Sequence, residues 1–298
     1  MKIIVTGSLG NISKPLTKEL VQKGHAITVI SSKPEKQKDI EALGATAAIG
    51  TVEDIDFLTT TFTGADAVYC MLPPNDYFNQ DLDLVAYYQR IGSNYAQAIQ
   101  QAAVKRVVHL SSIGAHLDKD SGIILGHHHV ENILKELSGV GITHMRPTYF
   151  YYNLYNYIPM IKNVGSIAAN YGGEDKVVMV SPIDIAAAIA EEIVTPLTGR
   201  KIRYVSSDER TCNEIASILG VAIGRPDLKW TTITNEQMLS SLEAVGMSPM
   251  IAPDFVEMYA SLHNGKLSED YYKNKPAVEG KIKVTDFAKE FAAIFKQD

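Results

Sequence analysis

Only two cysteines, Cys70 and Cys212, occur in 298 residues, far apart and without C-x-x-C spacing. That excludes a disulfide framework or a zinc ribbon and leads us to expect a reducing, cytoplasmic setting. No apolar run approaches the roughly 18 residues that a membrane span needs. The first such run breaks at Thr6-Gly7 after one strand length, so no secretory signal is expected. No basic block stands out and the formal net charge is -6, which argues against direct contact with nucleic acid or an anionic membrane. Internal repeats, low-complexity tracts and long linkers are also missing, which excludes solenoid and disordered architectures. The length suits one large α/β domain, or one domain plus a smaller lobe.

The most informative stretch is the first, MKIIVTGSLGNIS. Ile3, Ile4 and Val5 read as a short buried strand, and Gly7 and Gly10 follow with G-x-x-G spacing. Ile12, Leu16 and Leu20 then recur at helical spacing until Gly24. Strand, glycine turn and helix make a dinucleotide-binding unit: glycine lets the backbone approach a pyrophosphate, and the helix N-terminus supplies free amides and a positive dipole end. Thr6, Gly7, Leu9, Gly10, Asn11 and Ile12 are the expected phosphate contacts. Ser13 stands where a third glycine would serve helix–strand packing.

Strands are expected at residues 26–30, 45–49, 67–72, 106–110 and 142–145, with helices at 82–103 and 126–137 between them. Alternation of this kind predicts a doubly wound parallel sheet, the Rossmann architecture, with right-handed crossovers. The second half is less regular. Ser181-Pro182-Ile183-Asp184 is a helix start, with a cap, a first-turn proline and an acid at the dipole. Residues 201–205 read as a strand. Thr211 with Glu214, and Thr234 with Gln237, have capping-box spacing. Thr285 opens a last helix with Phe287, Phe291, Ile294 and Phe295 on one face. Residues 1–150, with 181–207 returning, are expected to form the nucleotide domain, and 151–180 with 208–298 a smaller, mainly helical substrate lobe.

An NAD-preferring site usually closes the second strand with an acid. Here Ser31-Ser32-Lys33 follow that strand; hydroxyls and a lysine suit the extra phosphate of NADP, so NADP is favoured over NAD. Lys36 and Lys38 are expected to be solvated. Ligands of open α/β sheets sit beyond the carboxyl ends of the strands, so Leu72, Pro73, Ser111 and Tyr149 join the expected cofactor contacts, nearing the nicotinamide side in that order.

With these elements placed, the chain resembles the NmrA-like family of atypical short-chain dehydrogenases. TGSLGNIS is similar to its T-G-x-x-G-x-x-G, GADAVYCMLPP to its G-x-D-x-V-F stretch, AAVKRVVHLSSIGA to its fifth strand, HMRPTYFYYNL to its R-P-x-x-F-x-x-N segment and VSPIDIAAAIAEEI to its D-I-A motif. The resemblance implies a Rossmann domain with a small C-terminal substrate lobe. Its members include NADPH-dependent quinone-type reductases, epimerase-like proteins and non-catalytic redox sensors.

Ordinary short-chain dehydrogenases carry a Tyr-x-x-x-Lys pair after the fifth strand, the lysine lowering the pKa of a proton-exchanging tyrosine. If Glu131 is the family's downstream acid, the lysine position falls on His127 and the tyrosine position on Ile123. Both groups are missing, which weighs against an alcohol dehydrogenase, dehydratase or epimerase. His127, His128 and His129 point about 100° apart on a helix, so no shared metal is expected. His127 is the candidate catalytic group at the nicotinamide; His128 and His129 are surface or packing. The aromatic run from Tyr149 to Tyr157 supplies Phe150 and Tyr152 as candidate substrate contacts, with packing between lobes as the alternative. Cys70 is expected to be buried and inert, and Met238, Met247, Met250 and Met258 to fill core and loops. Two functions remain open: an NADPH-dependent reductase of a planar acceptor such as a quinone, and an NADP-binding sensor. A small-molecule substrate is expected; a protein partner or a homodimer is left open.

Overall fold

A computed structural model describes residues 1–297; the last residue of the expected 208–298 lobe lies outside them. In chain order the strands are β1 (Lys2–Val5), β2 (Ala26–Ser31), β3 (Thr46–Ile49), β4 (Ala67–Met71), β5 (Arg106–Leu110), β6 (Gly141–Pro147), β7 (Tyr149–Phe150), β8 (Ile167–Ala169), β9 (Lys176–Val180), β10 (Arg200–Val205), β11 (Asp208–Thr211) and β12 (Trp230–Thr232). The helices are α1 (Ser13–Gln22), α2 (Gln37–Ala42), α3 (Ile55–Phe62), α4 (Leu84–Gln101), α5 (Leu125–Lys135), α6 (Ile158–Val164), α7 (Pro182–Glu192), α8 (Cys212–Ile223), α9 (Asn235–Ala244), α10 (Ala252–His263), α11 (Glu269–Lys273) and α12 (Val284–Phe295).

Seven strands form one sheet in the order β10-β6-β5-β4-β1-β2-β3, every neighbouring pair parallel. Alternation along each strand dresses both faces. Ile3 and Val5 pack with Leu16 and Leu20 of α1 and Ile185 and Ile189 of α7; Ile4 packs with Leu58 and Phe62 of α3 and Ile91 and Tyr95 of α4. This is the expected doubly wound sheet. Strand order reverses between β1 and β4, and the crevice beyond that switch point is where such sheets bind ligands.

The C-terminal region has its own core of Leu154, Ile161, Ile215, Leu219, Trp230, Phe287 and Phe291. It is mainly helical but adds two small sheets, β11-β9-β7 and β12-β8. Ser181 caps α7, accepting from Ile183 N–H at 3.2 Å, and both expected capping boxes form. The last helix begins one residue before Thr285, because Asp286 turns back to accept from Lys283 N–H at 3.3 Å. Met238 is buried, but Met250 is 51% exposed and fills no core.

Candidate cofactor and substrate site

The glycine turn is fastened from both sides. Gly7 has φ +87° and Ser8 φ +53°. Ser8 N–H donates to Ile30 O at 3.0 Å, and the Ser8 hydroxyl donates to Ser31 Oγ at 2.9 Å. Thr6 Oγ1 accepts from Met71 N–H at 2.9 Å. Ser13 donates its hydroxyl to Thr6 O at 2.8 Å, and a Cβ on Gly7 would come 2.7 Å from that hydroxyl. The serine in the third-glycine position thus packs against the turn, with a hydrogen bond in place of bare close approach.

Five helices are capped by a side chain: Asp54 caps α3, Asp83 α4, Ser181 α7, Thr211 α8 and Thr234 α9; α5 and α10, like α1, have no such bond. Helix α1 has no side-chain cap and no acid in its first turn. Among the described residues, the N–H groups of Leu9, Asn11, Ile12 and Ser13 meet no backbone acceptor. Uncapped amides at a positive dipole end, beside a glycine turn with no Cβ in the way, fit a pyrophosphate.

Ser31 is buried, and its Oγ accepts from Lys33 N–H at 3.2 Å. Ser32 and Lys33 are exposed at the β2 tip, and the first carboxylate beyond them is the exposed Glu35. Lys36 pairs with Asp39 at 3.4 Å on the surface, as expected of a solvated lysine.

At the other tips Leu72 is buried and Pro73 half-buried. Ser111 is committed to the protein: its hydroxyl donates to Glu131 Oε1 at 2.5 Å. Arg146, 4% exposed, donates to both Glu131 oxygens at 2.9 and 2.7 Å, to Asp270 Oδ2 at 3.1 Å and to the Tyr204 hydroxyl at 3.2 Å. Burial raises the Glu131 carboxyl, but its bonds to Arg146 outweigh that and hold it below the usual range. This network ties β6 to α5, β10 and α11. The sequence showed Arg146 only at a strand end and in the R-P-x-x-F-x-x-N segment; an arginine in a strand buried along its whole length, with an acid on the neighbouring helix, was the available signal.

The aromatic run divides. Tyr151 stacks on Phe287, Tyr155 on Phe291, and Tyr157 meets Trp230 edge-on, with centroids 5.2, 5.9 and 5.1 Å apart; these pack the C-terminal core. Tyr149, Phe150 and Tyr152 are half-buried. Phe150, like Leu9 of the glycine turn and Met71 of β4, packs against the core on one face of the sheet, and its ring lies 5.1 Å from that of Tyr152. The Tyr149 hydroxyl accepts from Tyr171 at 3.4 Å, and burial pushes its phenol up to about 12.

His128 is a fastener: its Nδ1–H donates to Ala115 O at 3.0 Å, and Nε2 accepts from Asn132 at 2.8 Å. His127 lies 5.6 Å from the Tyr88 ring of α4, and its Nδ1 is enclosed without a partner among the described residues. Beneath α5, His109 and His144 meet Nδ1 to Nδ1 at 3.1 Å, so one donates and the other accepts, and both are neutral. Burial first, then the neighbouring His144 and His127, lowers His109; burial lowers His144 against an upward pull from Glu131, and brings His127 down to about 4 against a smaller upward pull from the same carboxylate. Cys70 is fully buried, and burial pushes its thiol up.

His109, His127 and His144 give the fold an acid limit. Folding lowers all three from about 6.5 in the unfolded chain, so their contribution is fully present above pH 6.5. It is lost as pH falls below 6.5, down to about 4 for His127, by up to about 1.4 kcal/mol per histidine per pH unit. Urea midpoints at pH 7.5, 6 and 5 are expected to fall steeply over the last step; a flat profile would show the rings to be free to ionise.

An uncapped helix at a glycine turn, set at the switch point of a parallel sheet, defines a dinucleotide-binding α/β protein. Residues 7–196 match the NAD(P)H-binding family, and the chain belongs to it; the NmrA-like resemblance holds. Over 98% of its length the chain is 27% identical to the NAD(P)H azoreductase of Xenophilus azovorans, covering 99% of that protein. The NADPH-dependent quinone oxidoreductase of Escherichia coli, solved with NADPH, superposes with a TM-score of 0.80 at 20% identity, over 97% of this chain and 99% of that one. The triphenylmethane reductase of Citrobacter sp., solved with NADP(H), gives 0.78 at 19% identity over 97% and 99%. Among the described residues no helix is long and apolar enough to cross a membrane.

Proposed function

We propose that this chain is an NADPH-dependent reductase of a small planar acceptor such as a quinone, working without a Tyr-Lys dyad. The observation that carries it is the uncapped α1 N-terminus beside the glycine turn, at the sheet's switch point, with Phe150 and Tyr152 half-buried just past the tip of β6. Full-length similarity to an NAD(P)H azoreductase supports it. Bound reduced nicotinamide would supply the hydride. Leu9, Gly10, Asn11 and Ile12 would hold the pyrophosphate, Ser32 and Lys33 the 2′-phosphate, and Leu72, Pro73 and Tyr149 the remainder, Ser111 being engaged by Glu131. Hydride transfer to a quinone leaves an oxyanion that water or one weak acid can protonate, so Ile123 in place of a tyrosine is no obstacle; the neutral His127 imidazole is assigned to that end of the site. Residues 151–180 and 208–297 would form the acceptor's side of the cleft.

Oxidation of NADPH with a panel of quinones tests the reaction. Turnover is expected; tight NADPH binding without turnover would favour the sensor instead. Lys33→Ala tests the cofactor. A charged hydrogen bond to phosphate is worth about 1.5–3 kcal/mol, so NADPH affinity is expected to fall roughly tenfold or more while NADH affinity changes little. Equal losses, or tighter native binding of NADH, would contradict NADP preference.

A further inference from the structure

Residues 73–83 leave the sheet beside the glycine turn. Met71, at the end of β4, donates its N–H to Thr6 Oγ1 at 2.9 Å, and its side chain fills the space next to Gly7. In an open α/β sheet the loops after the two strands at a switch point enclose the ligand; here those strands are β1 and β4. Residues 73–83 therefore border the crevice into which α1 presents its uncapped amides. The segment carries its own hydrogen bonds. Asp76 N–H donates to Asn75 Oδ1 at 2.9 Å, Phe78 N–H to Asp76 Oδ1 at 3.0 Å and Asp81 N–H to Asn79 Oδ1 at 3.0 Å. Asn79 N–H reaches Asp76 O at 3.1 Å, and Leu82 N–H reaches Asn79 O at 3.3 Å. Pro73 and Pro74 have no N–H to satisfy, and Asp83 ends the segment by capping α4. It can swing as a unit without stranding these amides.

Beyond its own bonds the segment meets residues 246–255 of the C-terminal region. Ser248 N–H donates to Tyr77 O at 2.9 Å. The Gln80 amide donates to Phe78 O at 2.8 Å and to Gly246 O at 3.4 Å. The Phe78 ring stands 3.8 Å from where a Cβ on Gly246 would be, and Phe255 of α10 meets the Tyr77 ring edge-on, centroids 5.2 Å apart. Two hydrogen bonds and two ring contacts thus join the segment to the C-terminal region. A second attachment nearby is of another kind: α10 lies so close on Gly122 that a Cβ there would overlap the Asp254 carbonyl. Backbone packed on backbone is fixed, whereas a few contacts made by exposed side chains can open locally.

We propose that residues 73–83 are a latched flap at the switch-point crevice, held shut by Gly246, Ser248 and Phe255, and that the flap lifts for the dinucleotide to enter and leave. Ser248 is fully buried while the latch is shut, so hydrogen exchange at its amide reports the lifting. Dinucleotide bound at α1 holds the flap down, and a weaker latch opens more often. The flap serves the dinucleotide alone and needs no hydride acceptor.

Amide exchange at Ser248, with stopped-flow fluorescence of NADPH, tests this. Saturating NADP+ is expected to slow exchange at Ser248 in the wild type severalfold. Phe78→Ser combined with Gln80→Ala removes one hydrogen bond and one ring contact; both side chains are exposed, so the core is left alone. The variant should exchange at Ser248 about three- to tenfold faster, the factor expected for one hydrogen bond. NADPH entry and release should both quicken by similar factors, so that Kd moves far less than either rate. A merely structural loop would leave both rates alone. Exchange at Ser248 that ignores NADP+ overturns the proposal, as does a variant whose Ser248 amide exchanges no faster. So does a variant that exchanges faster while NADPH comes and goes at wild-type rates. None of these readouts involves turnover: failure to reduce quinones sinks the reductase assignment alone, and a flap that does not gate NADPH sinks this inference alone.

Discussion

Arg146→Met is expected to destabilise the protein by about 3–5 kcal/mol, the usual cost of removing one member of a buried ion pair. Arg146 is 4% exposed and Glu131 9%, so the variant leaves a carboxylate enclosed with only the Ser111 hydroxyl to meet it. Asp270 loses a partner too, but it is 27% exposed, and water together with the Tyr204 hydroxyl at 2.6 Å can satisfy it. Most of the cost therefore falls on Glu131. Urea denaturation at pH 7.5 measures the loss, and a second variant identifies its cause. Glu131→Gln combined with Arg146→Met removes the stranded charge and should recover part of the stability. Additive losses would instead mean that each side chain matters only for its own packing. The expected change is the same in sign at every pH above the carboxylate range. It shrinks in acid, where Glu131 in the variant can take up a proton.

That network also shows what the sequence could not disclose. Arg146 reaches partners 15, 58 and 124 residues away, and only the first lies within one crossover. Local signals were legible. The strand–glycine–helix opening, the apolar runs of the parallel sheet and the caps at Ser181, Thr211 and Thr234 each depend on a few consecutive residues, and each is where the spacing places it. Strand β10 was readable as a strand for the same reason. The short strands β7, β8, β9, β11 and β12 and the helices α2, α3, α6, α10 and α11 were not noted, since short elements held by segments tens of residues apart leave little periodicity. At the site the same division holds. The glycine turn and the β2 tip were visible as patterns. Ser8 was missed, because its role rests on a positive φ and on Ser31, 23 residues away.

Gly10→Val is expected to weaken NADPH binding by more than a hundredfold while leaving the fold intact. Gly10 is exposed and its φ is not in the left-handed region, so a side chain is not excluded by the backbone. Its Cβ would stand 3.2 Å from Gly7 O, tight enough to require a small adjustment of the turn. The two valine methyls, however, must then project from the turn over the uncapped amides of α1. A pyrophosphate held there loses close approach to at least two N–H donors. At about 1.5–3 kcal/mol for each bond to a charged group, that is roughly 3–6 kcal/mol of binding. Gly7 is the wrong position for this test. With φ +87° and Ser13 Oγ 2.7 Å from the added Cβ, Gly7→Val would break the turn itself and confuse folding with binding. Fluorescence titration with NADPH measures the effect, with urea denaturation as the control. A Gly10→Val protein that is stable and binds NADPH normally would make the turn merely structural and remove the ground for a cofactor at this helix.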